Sequence, residues 1–103
     1  MRTLVAALAL LAATPALADA PSIANTYGFD YMKPEKSSCK KVTGALHKKL
    51  KPYTCVAVEA GTTASGRDAV ADCKNAKATS GYLLFTTLAD CKEERDTQLA
   101  NAD

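Results

Sequence analysis

Four cysteines do most to limit what this chain can fold into. Cys39, Cys55, Cys73 and Cys91 are separated by 15, 17 and 17 residues. No two stand close enough to form the C-x-x-C turn that brings paired ligands to zinc or builds a redox dithiol. An even number of well-spaced cysteines in a short chain predicts two structural disulfides, no metal site and no redox catalysis.

Disulfides call for an oxidising compartment, and the first residues supply a route to one. Met1-Arg2 gives a positive start, Leu4 to Ala13 is uninterrupted Leu, Ala and Val, and Pro15 precedes Ala16-Leu17-Ala18. This is the pattern of a cleavable signal peptide over residues 1–18. Cleavage after Ala20 would place Pro21 just beyond the cut, where its fixed φ fits an extended protease subsite poorly, so Ala18 is preferred. The apolar run is about half the length a membrane-spanning helix needs, and no later segment comes closer. No cysteine follows it to carry a lipid, and there is no twin-arginine pair. The expectation is an exported protein, periplasmic or secreted, with no transmembrane segment; an ordinary N-terminal helix is the alternative reading of residues 1–18.

The whole chain has 13 basic and 11 acidic side chains. Loss of residues 1–18 removes Arg2 and no acid, so the rest is nearly neutral and no nucleic-acid partner is expected. A domain this small buries a modest core and needs its covalent staples. Residues 19–36 read as an N-terminal arm and residues 37–103 as a single disulfide-bonded α+β domain. Within the arm, Tyr27-Gly28-Phe29-Asp30-Tyr31 has strand alternation and holds half of the aromatic residues.

From Lys36 to Lys51 the apolar positions Cys39, Val42, Leu46 and Leu50 recur at helical spacing, with lysines largely on the other side, which predicts a basic amphipathic helix. Gly44 weakens it, Val42, Gly44 and Leu46 also fit a strand, and Pro52 ends it either way. Tyr53 to Glu59 predicts a strand with Val56 and Val58 on one face and Tyr53, Cys55 and Ala57 on the other. Residues 60–67 form a loop, Ala69 to Lys74 a possible second strand, Asn75 to Gly81 a turn region and Tyr82 to Phe85 a third strand. Thr87-x-x-Asp90 resembles a capping box and opens a helix that runs to about Ala100.

The predicted fold is therefore α+β in the order α-β-β-β-α, two helices on one face of a short antiparallel sheet. That arrangement favours Cys39 with Cys91 and Cys55 with Cys73. Sequential pairing is the runner-up, disfavoured because Cys39 would lie roughly 16 Å along its helix from the turn that leads to Cys55.

Groups for catalysis are sparse. His47 is the only histidine and sits among lysines; Ser65, His47 and Asp68 form a triad only on paper; Glu93 and Glu94 point about 100° apart on a helix and cannot act as a glycosidase pair. Gly61 and Gly66 lack the strand-to-helix context of a phosphate loop. No enzyme activity and no cofactor are expected.

Two surfaces offer binding instead. Lys33, Lys36, Lys40, Lys41, Lys48, Lys49 and Lys51 are opposed only by Glu35, a stripe suited to anionic lipid headgroups, an anionic envelope polymer or an acidic protein. Of these, Lys40, Lys41, Lys48, Lys49 and Lys51 are the candidate contacts. If the acidic last helix packs beside the basic one, much of this charge is answered internally. The second surface is the sheet face opposite the helices, where Tyr53 and Tyr82 join Ala57 and Leu84, either open to a partner or covered by Tyr27, Phe29 and Tyr31 of the arm. The leading expectation is a non-catalytic protein-interaction module. Its alternatives are a binder of anionic cell-envelope components and a secreted protease inhibitor presenting Arg67 from the loop Gly61 to Arg67.

Overall fold

A computed structural model describes residues 20–102, so the signal-peptide reading of residues 1–18 lies outside the described residues. Strands β1 (Tyr27–Asp30), β2 (Lys40–Lys41), β3 (Thr54–Ala57), β4 (Ala71–Lys74) and β5 (Gly81–Phe85) form one sheet, with a 3-10 turn at Pro34–Lys36 and helices α1 (Gly44–Leu50) and α2 (Leu88–Ala100). The strand order is β2-β1-β5-β4-β3, and every neighbouring pair is antiparallel.

The central strand explains the layering. All five residues of β5, Gly-Tyr-Leu-Leu-Phe, are buried, the mark of a strand covered on both faces. Its register places Leu83 opposite Phe29 and Phe85 opposite Tyr27 on one face, and Tyr82 opposite Cys73 and Leu84 opposite Ala71 on the other. Each face builds its own core. Tyr82, Leu84, Ala71 and Cys73 pack with Val42 and Leu50, joined by Leu46 of α1. Leu83, Phe85, Phe29 and Ala69 pack with Cys91 of α2.

Three expectations are corrected here. The helices lie on opposite faces of the sheet, because β5 turns apolar side chains both ways and one helix cannot cover both. The aromatic segment is not laid over the domain: Tyr27–Asp30 is a strand inside the sheet, paired with β5 and β2. Gly28 permits the close approach, since a Cβ there would run into the Leu84 side chain. Finally, the first helix is only seven residues long. Gly44 begins it with φ of 51°, a left-handed conformation that a continuous helix from Lys36 cannot contain. The residues before it form β2 instead, and Cys39 lies next to that strand.

The disulfides are Cys39–Cys91 and Cys55–Cys73. The first ties the β2 side of the sheet to α2, and the second joins directly opposed residues of β3 and β4. Thr87 caps α2, its hydroxyl oxygen accepting from the Asp90 N–H at 3.1 Å.

Candidate anion site

Where β1 ends, the chain turns over a buried carboxylate. Asp30 is 8% exposed, and its oxygens accept from the Ser80 hydroxyl at 2.8 Å and from the N–H groups of Met32 at 3.0 Å and Gly81 at 3.3 Å. Tyr53 donates its hydroxyl proton to Ser80 at 3.0 Å, extending this chain beneath α1. The Asp30 N–H in turn donates to the Ser37 hydroxyl at 2.8 Å, fixing the segment that follows the 3-10 turn. From the far side of the sheet Arg95 of α2 donates through Nε to the carbonyls of Pro34 and Ser37. The turn is thereby held at two points.

Above this floor lies a cavity of about 270 Å³ lined by Asp30, Lys33, Lys36, Ser37, Ser38, Lys40, Lys49 and Tyr82. Its four lysines come from the β1–turn connection, the 3-10 turn, β2 and α1, segments that only the folded chain brings together. Lys49 is set by Tyr82, donating to the phenol oxygen at 3.3 Å with its nitrogen 5.3 Å from the ring centroid. That hydrogen bond outweighs the desolvation and raises the lysine's affinity for its proton, so Lys49 is charged throughout the neutral range. Asp30 is engaged by neutral donors, and the ion pairs among the described residues involve only Arg67, Lys74 and their acidic neighbours. Asp30 still sets one negative charge against the pocket, and its field reaches Lys49, but four lysines against one carboxylate leave an excess of positive charge. Acidic α2 sits across the sheet and does not answer them.

Of the expected contact residues, the pocket gathers Lys40, Lys49 and Tyr82. Lys48 and Lys51 are exposed around α1 but do not line it. Lys41 alternates to the opposite face, its nitrogen 5.9 Å from the Tyr27 ring centroid. The flat tyrosine surface is not formed. Tyr82 is 9% exposed, Tyr53 packs edge-on against it at 6.3 Å, and α1 covers both. The arm aromatics Tyr27, Phe29 and Tyr31 lie on the other face.

Sequence reasoning placed Lys33 and Lys36 in the basic segment without choosing them, and it missed Asp30, Ser37, Ser38 and Arg95. The usable signal was the position of Asp30 at the end of an alternating segment followed by Pro34, a strand end with a polar residue facing the same side as Gly28.

The α2 face holds a second cavity, about 290 Å³, between that helix and the 59–68 loop, with Tyr31, Asp72, Leu83 and Glu94 among its lining. Its polar groups already satisfy one another. The Tyr31 hydroxyl donates to Asp72 at 2.8 Å, and Glu94 accepts from the N–H groups of Ala64 at 3.1 Å and Ser65 at 2.8 Å. Burial, the Asp72 hydrogen bond and the nearby carboxylates push the Tyr31 phenol up from its ordinary value. Arg67, more than half exposed, bonds Glu93 of α2 at 3.0 Å. Ser65 is at this face while His47 belongs to α1 across the sheet, so no triad is assembled.

Among the described residues no cluster of three or more His, Cys, Asp or Glu is placed to hold a metal ion. No helix among them is long and apolar enough to cross a membrane. Comparison with protein-family models, curated proteins and solved structures finds no match for this chain.

Proposed function

We propose that the protein is an exported, non-catalytic binding domain whose lysine pocket takes an anionic component of the cell envelope. The observation that carries this reading is the convergence of Lys33, Lys36, Lys40 and Lys49 on one cavity whose only carboxylate is already engaged by neutral donors. Ammonium groups held around a concave surface focus positive potential and bind anions as point charges, with the hydroxyls of Ser37 and Ser38 completing the donor set. Export is supported by the leader-like N-terminus and by two disulfides, which persist in oxidising compartments.

The test is cosedimentation of the oxidised protein with phosphatidylglycerol vesicles, alongside binding to inorganic polyphosphate. Both are run at low and high salt, since the Debye length falls from about 10 Å at 0.1 M to about 3 Å at 1 M. Binding to either probe is expected at low salt and is lost at high salt. Preference for vesicles over polyphosphate identifies a lipid headgroup as the source of the anion, and the reverse identifies a polymer. A Lys33→Glu/Lys49→Glu variant that binds as well as the parent would overturn the assignment of the pocket.

A further inference from the structure

The two edges of the sheet are built differently. At one edge β2 is two residues long and both are lysine, the short charged edge that resists pairing with other chains. At the other, Thr54–Ala57 of β3 carries no charge and no proline, and Val56 is 55% exposed.

The direction of the backbone groups on β3 follows from its neighbours. The Asn75 N–H donates to the Ser80 carbonyl at 3.1 Å, so Asn75, and by alternation Cys73 and Ala71, belong to the hydrogen-bonded pairs with β5. Asp72 and Lys74 are left to bond β3 through Val56 and Thr54. Cys55 and Cys73, with Cα atoms 4.0 Å apart, have the short separation of a non-hydrogen-bonded pair, in agreement. The N–H and C=O groups of Cys55 and Ala57 thus face outward along the open edge. The disulfide at Cys55 pins the strand to β4, so this row of donors and acceptors is held in place.

We propose that β3 pairs antiparallel with β3 of a second copy about a two-fold axis at Val56, joining two five-stranded sheets into one of ten strands. In this register Cys55 of each copy exchanges both backbone bonds with Ala57 of the other, and the exposed valines meet in the closely spaced, non-hydrogen-bonded pair at the axis. The flanking charges select a second copy as the occupant. Lys51 ends α1 just before the strand and Glu59 follows it, so antiparallel self-pairing brings the basic end of each strand to the acidic end of the other, with Glu59 opposite the second copy's Tyr53, whereas a parallel arrangement would bring like ends together. A closed isologous contact of this kind also ends growth at the dimer.

Residues directly opposed in an antiparallel pair share a face of the sheet, so both α1 helices and both lysine pockets come to lie on the same side. A polyanion long enough to span them engages two sites, a gain of roughly 10²- to 10⁴-fold over one. This consequence rests on the anion reading of the pocket; the strand pairing does not.

The experiment is sedimentation equilibrium of the oxidised protein over a range of concentrations. A monomer–dimer equilibrium is expected. Val56→Lys and Val56→Glu each place like charges at the axis and weaken association roughly two- to fivefold, and their circular dichroism and melting temperature stay close to the parent because Val56 is exposed. Mixing the two variants restores association as a heterodimer, which misfolded chains would not do. Ala57→Pro, which deletes an outward N–H, also weakens it. A parent that is monomeric at every concentration, or a dimer indifferent to all three substitutions, overturns the pairing. Lys33→Glu/Lys49→Glu still dimerises while losing polyphosphate. If Val56→Lys binds long polyphosphate as tightly as the parent dimer, the two-site engagement is overturned and the strand pairing stands.

Discussion

Glu94 is the clearest case of a single side chain organising its surroundings. It is 1% exposed, and a buried carboxylate is tolerated only when its oxygens are well supplied with donors. The N–H groups of Ala64 and Ser65 and the Gln98 amide, at 2.7 Å, meet that need and anchor the 59–68 loop to α2. Burial works against the charge, but the hydrogen bonds from Gln98, Ser65 and Ala64 together outweigh it and hold the carboxyl below its ordinary range. A carboxyl that ionises more readily in the folded chain than in the unfolded one stabilises fully above the unfolded value of about 4.3. That contribution is lost as the pH falls through the lower folded value. Glu94→Gln presents an amide N–H₂ where one donor needs an acceptor, at a cost of about 1–3 kcal/mol at neutral pH. Thermal melts of the two proteins across pH should show a gap that is widest near neutrality and narrows in acid; parallel curves throughout would assign the effect to shape and not to charge.

At the scale of elements, the legible parts of the sequence were those whose signal is local. Thr87-x-x-Asp90 gave the start of α2, the Tyr53–Glu59 alternation marked β3, and the near-continuous apolar run Tyr82–Phe85 marked β5. The Cys39–Cys91 and Cys55–Cys73 pairing emerged from strand and helix placement although one helix was misplaced, because Cys55 and Cys73 need only be on neighbouring strands. What was not legible depended on distant partners. Nothing near Tyr27–Asp30 says that it pairs with β5, fifty residues on, and without that strand β5 looked half-buried and both helices seemed to share one face. The pocket was equally opaque, since its lysines meet only after β1, β2 and α1 are assembled. Helix α1 is the instructive error: Val42, Leu46 and Leu50 do share a core, but Cys39 joins the one on the opposite face, and one glycine stops the helix from reaching back to it. A Cβ at Gly44 would meet nothing within 4 Å, yet φ there is +51°, so the cost of a side chain is purely backbone. Gly44→Ala should lower stability by about 1–2 kcal/mol. Gly44→Asn should cost less, because asparagine enters the left-handed region more readily. Urea unfolding of the three proteins checks the order, and equal losses for Ala and Asn would argue that α1 can begin elsewhere.

For the molecule as a whole the arrangement of charge matters more than its sum. The chain carries a formal net charge of only +2, and on that figure alone a polyanion has little reason to hold it. The fold, however, places the lysine pocket and α1 on one side of the sheet and the Asp90, Glu93 and Asp96 side chains of α2 on the other. Within about a Debye length of the surface an anionic partner meets one pole and not the average. Two double variants of identical net charge separate these possibilities. Lys33→Glu/Lys49→Glu reverses charge inside the pocket, while Lys77→Glu/Lys92→Glu makes the same change in the β4–β5 turn and on α2. If the pole governs, the first pair of substitutions abolishes retention on an immobilised polyphosphate column at low salt, and the second delays or advances elution only slightly. Equal effects from both pairs would mean that net charge alone sets the affinity, and the convergence of four lysines would then be a solvated surface with no ligand of its own. The same columns read the assembly: loaded below the dimer's dissociation range, the parent should elute at lower salt than when loaded above it, because one pocket then holds the polymer where two did before.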